Sequence, residues 1–119
     1  MRLIDIIMAR KALSQVTVPV DFELAYRIAT FLKETELAAG MADGFRAQIF
    51  EKYAEGEGAS RHIPKAKMAE ANKELNKMGE TEIEDIEPPR FSPADFAGVR
   101  MSAAAAAALL PLLKENDNE

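Results

Sequence analysis

An apolar stripe that holds helical phase over about thirty residues constrains this chain more than any other feature. It runs through Leu24, Ile28, Phe31 or Leu32, Ala38, Met41, Phe45, Ile49 and Tyr53, while Arg27, Lys33, Glu34, Arg46 and Lys52 fall off it. One helix of roughly 45 Å would carry the whole stripe. Gly40 and Gly44 sit inside it, and each costs about 1 kcal/mol against alanine in a helix interior. Either the helix breaks near Gly40 and restarts at Asp43, or the glycines admit a close backbone approach. Because the stripe keeps its phase across both, the pattern predicts a continuous helix. Asp21 supplies a start signal, since its carboxylate can accept an otherwise orphaned backbone N–H, and Val20 is placed to pack on Ala25.

The neighbouring segments also read as helical. Ile4, Ile7, Met8 and Leu13 predict a first helix from about Leu3 to Gln15, stopped by the β-branched "VTVPV". The glycine-bearing loop "EGEGASRH" ends the long helix, and Pro64 then suits the first position of a third helix. That helix carries Met68, Ala71, Leu75 and Met78 on a stripe wide enough to cover one neighbour, the second half of the long helix packed antiparallel, with Gly79 as terminator. "ETEIEDIEPPRF" reads as an extended acidic connector, because its isoleucines are out of phase for a regular strand and its double proline forbids a central one. Ser92-Pro93 opens a short turn. Ser102 caps "AAAAAALLPLL", in which Pro111 should kink or tighten the last turn, and residues 113–119 fray. The fold class is therefore mainly α: one small helical domain over residues 1–119, with a long central helix, shorter helices packed on it and a short acidic connector. Its expected core includes Leu24, Ile28, Phe31, Phe45, Ile49, Leu75 and Met78.

Chemistry is sparse. The 119 residues contain no cysteine and one histidine, which removes thiolate nucleophiles and cysteine-bearing zinc sites. His62 sits in a polar loop outside any triad signature. "GEGAS" lacks the lysine and preceding strand of a phosphate loop. No catalytic residue, cofactor or metal is predicted, and a carboxylate hydrolase using a divalent metal is the one enzymatic alternative. Fifteen basic against twenty acidic residues give a net charge of −5, which disfavours direct nucleic-acid binding. Lys65, Lys67, Lys73 and Lys77 give the third helix a basic side, but Glu70 and Glu74 lie three residues before Lys73 and Lys77, as in a solvated, ion-paired face. The amino-terminal apolar patch is too short and too charged for a signal core or a membrane span, so a cytoplasmic setting without membrane contact is expected.

Two stretches are candidate protein-contact surfaces. In the acidic connector these are Glu80, Glu82, Glu84, Asp85 and Glu87, which read either as a solvated strap or as a surface for a basic partner. In the alanine helix they are Leu109, Leu110, Leu112 and Leu113. That helix either packs into the core or lies flat against another subunit with these leucines as anchors, which would make the chain a homo-oligomer.

The order of elements, with "KAL", the "VPV" break, "AYRIATFLKETE", "IFEKYAEGE", "IPKAKMAEANKELNKM", "ETEIEDIEP" and "FSPADF", resembles that of small proteins of tailed phages and prophages without assigned function. The alanine run departs from that layout. The resemblance implies a viral origin, the host bacterial cytoplasm and a non-enzymatic task, either virion or tail assembly as an accessory or chaperone, or inhibition of a host defence or replication protein. It carries over no functional residue.

Overall fold

The computed structural model describes residues 1–16, 19–84, 86 and 91–113. Among them are five α-helices: α1 (Leu3–Leu13), α2 (Phe22–Glu34), α3 (Glu36–Tyr53), α4 (Lys65–Gly79) and α5 (Ala103–Leu109), with short 3₁₀ turns at Gly58–Ser60, Pro93–Phe96 and Leu110–Leu112. Extended pairing among the described residues is confined to isolated bridges. The fold is thus mainly α, as the sequence patterns predict.

The first helix is the hub of the fold. α1 contacts α3, α4 and α5. Its buried face is Leu3, Ile6, Ala9, Ala12 and Leu13, whereas Ile4 and Met8 of the expected stripe are partly exposed. Apolar residues surround α1 on nearly all sides, so periodicity alone could not choose the inward face. Ile4 still has a packing role. A Cβ on Gly79 would lie 3.2 Å from Ile4 Cβ, so the bare glycine lets the end of α4 close onto α1. Gly79 therefore acts by close approach and not as a left-handed cap, since its φ is not positive.

The predicted long helix is interrupted, though not at its glycines. α3 runs unbroken through Gly40 and Gly44, and the break falls at Thr35, with φ −96° and ψ 0°. Helical bonds persist on either side of it, Thr35 N to Phe31 O at 3.0 Å and Ala39 N to Thr35 O at 2.9 Å. The cause comes from α1. Arg10 Nη1 donates to the Leu32 carbonyl at 2.5 Å and to Thr35 Oγ1 at 2.7 Å, and the threonine hydroxyl donates in turn to the Phe31 carbonyl at 2.7 Å. A side chain drawn into the carbonyl ladder is a regular cause of a helix bend.

The main core gathers Ala9, Ala12 and Leu13 of α1, Leu24 and Phe31 of α2, Phe91, and Ala105, Leu109 and Leu112 from the carboxy-terminal segment. Asp21 caps α2 by accepting from Leu24 N at 2.9 Å, and Ser102 caps α5 by accepting from Ala105 N at 3.1 Å, both as expected. Val20 packs on the core, while its expected partner Ala25 is exposed. Pro111 falls in the 3₁₀ turn that tightens the end of α5. Leu24, Phe31 and Ile49 are buried as expected, and Ile28, Leu75 and Met78 are half-buried. Phe45 departs from expectation, at 50% exposed. It lies on the flank of α3 that α4 leaves uncovered, because the inward face of α3 is the row of Ala42 and Ile49.

Candidate protein-contact surface

α3 and α4 form a hairpin whose turn is closed by reciprocal backbone bonds, Glu55 N to His62 O at 2.7 Å and His62 N to Glu55 O at 2.9 Å. Gly56 supplies the positive φ of 97° that this tight loop requires. Across the pair, Glu74 of α4 accepts from the Tyr53 hydroxyl and from Lys52 Nζ at 3.2 Å. These bonds, the tyrosine's foremost, hold the Glu74 carboxyl below its ordinary range and raise both Lys52 and Tyr53. Glu74 thus pairs across the hairpin and not along α4 with Lys77. Lys67 likewise reaches Glu55 at 2.7 Å.

The hairpin is thinly packed. Only Ala42 and Ile49 are buried in α3, and only Ala71 and Gly79 in α4. Between the helices and the start of the acidic strap lies an open cleft of about 680 Å³, walled by Met41, Phe45 and Ile49 on one side and by Met78 and Ile83 on the other. Lys52 and Lys77 stand on its rim. Lys52 is neutralised by Glu74, whereas Lys77 has no ion-pair partner among the described residues. The result is a concave apolar surface with one lysine at its edge that is outside any ion pair among the described residues.

The acidic connector borders this cleft. Its backbone pairs with the amino-terminal segment, Leu3 N donating to Thr81 O and Ile83 N to Met1 O, each at 2.8 Å, about an Arg2–Glu82 bridge. Glu80, Glu82 and Glu84 are exposed, and Glu82 reaches the Met1 amino group at 2.8 Å. Asp85 and Glu87 lie outside the described residues, as do both prolines of the connector. Ile83 and Ile86 are half-buried, and Phe91 is fully buried, its N–H bonded to Leu112 O at 2.9 Å.

The carboxy-terminal leucines divide. Leu109 and Leu112 are 2% and 1% exposed within the chain's own core, so they are not free anchors for another subunit. Leu113 is half-buried and bridges Phe91. Leu110 alone of the four projects outward, at 63%. The cleft is not legible in the sequence because its walls come from four segments, α1, α3, α4 and the acidic connector, and no single-helix stripe reports their meeting. The available signal was a surplus: α3 carries Leu37, Met41, Phe45, Ile49 and Phe50, more apolar bulk than one partner helix can cover.

His62 is exposed, with Nδ1 2.7 Å from the Ser60 carbonyl. Among the described residues no group of three or more histidines and carboxylates is placed to hold a metal ion. None of their helices is long and apolar enough to cross a membrane. A scan against protein-family models, a search of curated proteins and a search of solved structures each returned no match to this chain.

Proposed function

We propose that this chain is a non-enzymatic protein that acts by protein contact, with the α3–α4 cleft taking an apolar segment of a partner. The cleft itself carries the reading. Met41, Phe45, Met78 and Ile83 keep a concave apolar surface open to solvent, and surfaces of that kind mark contact sites. Lys77 on the rim suits a segment with a carboxylate beside its apolar residues. On the layout likeness to small tailed-phage and prophage proteins, the partner is a virion component met during assembly in a bacterial cytoplasm. Affinity capture from producing cells tests this with two forms of the tagged chain. The wild type is expected to retain a partner that Lys77→Glu with Met78→Gln loses while keeping its helical circular dichroism. An identical captured set from both forms would remove the cleft from the function.

A second reading is a chain that blocks a basic host protein through the acidic strap. It draws on Glu80, Glu82 and Glu84, which are exposed on a backbone fixed by pairing to the amino-terminal segment. Charge of this kind steers association, so changing these three to glutamine should slow binding at low salt. Equal on-rates at low and moderate salt would leave the strap as a connector alone.

A further inference from the structure

We infer that the segment received by the α3–α4 cleft is an α-helix of about four turns, apolar along one stripe and acidic toward one end of it. This rests on the cleft as the contact site and adds the form of what enters it. An entering segment carries backbone N–H and C=O groups that lose water against apolar walls and need partners. α3 and α4 present helix sides, whose amides and carbonyls bond along their own axes. The connector lines the cleft with Thr81 and Ile83, and their backbone groups are already spent. Thr81 N donates to Met78 O and Thr81 O accepts from Leu3 N, while Ile83 N donates to Met1 O and Ile83 O accepts from the Met1 amino group. These residues leave no edge to which a strand could be added. A helix brings its backbone bonds with it.

The shape of the walls agrees. Lining residues of α3 extend from Ala38 to Lys52, about 21 Å of helix axis at 1.5 Å per residue. Met41, Phe45, Gln48 and Lys52 form the exposed edge at spacings of four, three and four, and Ala42 and Ile49, seven apart, form the buried floor. An average spacing of about 3.5 keeps such a row facing a neighbour that runs alongside, as in helices crossing at about +20°. Glu74 and Met78, four apart, make the facing row on α4. A third helix laid between these rows meets both, whereas the two-residue alternation of a strand matches neither. Charge then sets the composition of the helix. Glu74 is bonded to Tyr53 and Lys52, so Lys77, one turn along α4, stands outside any ion pair among the described residues. Apart from these three charged side chains the lining is uncharged. A carboxylate therefore belongs toward one end of the partner's stripe, facing Lys77.

Displayed peptides of about sixteen random residues, sorted against the full chain, read this directly. Sequences that bind the wild type but not Lys77→Glu with Met78→Gln report on the cleft. Phe45→Gln, at a half-exposed position, serves where that pair loses its helical circular dichroism. The selected sequences are expected to repeat apolar residues at i, i+3 or i+4 and i+7, to carry Asp or Glu toward one end, and to gain helicity on binding as synthetic peptides. By fluorescence anisotropy the best of them should bind the wild type about tenfold or more tighter than Lys77→Glu alone. Cleft-dependent sequences that alternate with a period of two, or that place proline within the apolar run, overturn the helix while leaving the cleft as a contact site. An absence of any cleft-dependent sequence overturns both. A dimer of the chain that the same variants separate also overturns the inference, since a second copy then occupies the cleft.

Discussion

Thr35 shows how one side chain decides an element boundary. Fully buried and polar, it is tolerated because its hydroxyl accepts from Arg10 and donates to the Phe31 carbonyl. Thr35→Val keeps the shape and removes both bonds, leaving Arg10 with the Leu32 carbonyl. A loss of about 1–3 kcal/mol is expected in urea unfolding, the usual cost of stranding buried polar groups. An unchanged midpoint would mean the cluster contributes nothing to stability. Asp95 carries a second residue-scale effect. Its carboxyl is held below the ordinary aspartate range, first by the Ser92 N–H at 2.8 Å and then by Arg27 at 3.2 Å. A carboxyl depressed in the folded state adds stability that is complete above its unfolded value of about 3.9 and is lost as pH falls through the lower folded value. Wild type should therefore lose more stability than Asp95→Asn as a urea series is taken below about pH 4. Parallel pH profiles would show that Asp95 is unperturbed.

At the scale of elements, the alanine helix gains its meaning from its neighbour. α5 lies against α1, where Ala9, Ala12 and Ala105 are all buried, so small side chains let the two helices approach and leave Leu109 and Leu112 to fill the core. Leu109→Glu should therefore abolish cooperative unfolding, because it buries a charge without a partner. Leu110→Glu, on the exposed side, should shift the thermal midpoint little. Equal effects in the two variants would contradict the division of the leucines. The element boundaries that local chemistry sets were legible in sequence: Asp21 and Ser102 as caps, Pro111 as the cause of a tightened turn, the glycines of the α3–α4 loop. The boundary at Thr35 was not. It depends on Arg10, twenty-five residues away in the chain, and no local propensity encodes a donor arriving from another helix. The inward face of α1 was hidden for the opposite reason, since too many of its positions are apolar for a period to single one out. Phe45 keeps the phase of the stripe and so reads as core, yet the stripe is broader than the single helix available to cover it.

The whole molecule is longer than its chain length requires. Its radius of gyration is 17.1 Å and its extents are 51 × 29 × 24 Å, against about 13.5 Å for a compact chain of this size. The excess reflects an uneven distribution of packing. The core of α1, α2, Phe91 and α5 holds most of the buried apolar residues, while the α3–α4 hairpin contributes few. A region with few buried contacts opens at lower free energy than a core. Amides near the hairpin turn, at the end of α3 and the start of α4, should therefore exchange with deuterium well before those of Ile6 to Leu13 and Phe31. Gly79, where the hairpin meets Ile4 of α1, should fall between. Hydrogen exchange followed by mass spectrometry resolves these segments directly. A hairpin that exchanges together with α1 would show the two parts unfolding as one unit, and the thin packing of α3 and α4 would then be no local weakness. A graded profile would place the cleft on the most easily opened part of the molecule, where walls that have few internal contacts can adjust to an incoming segment at small cost to the core.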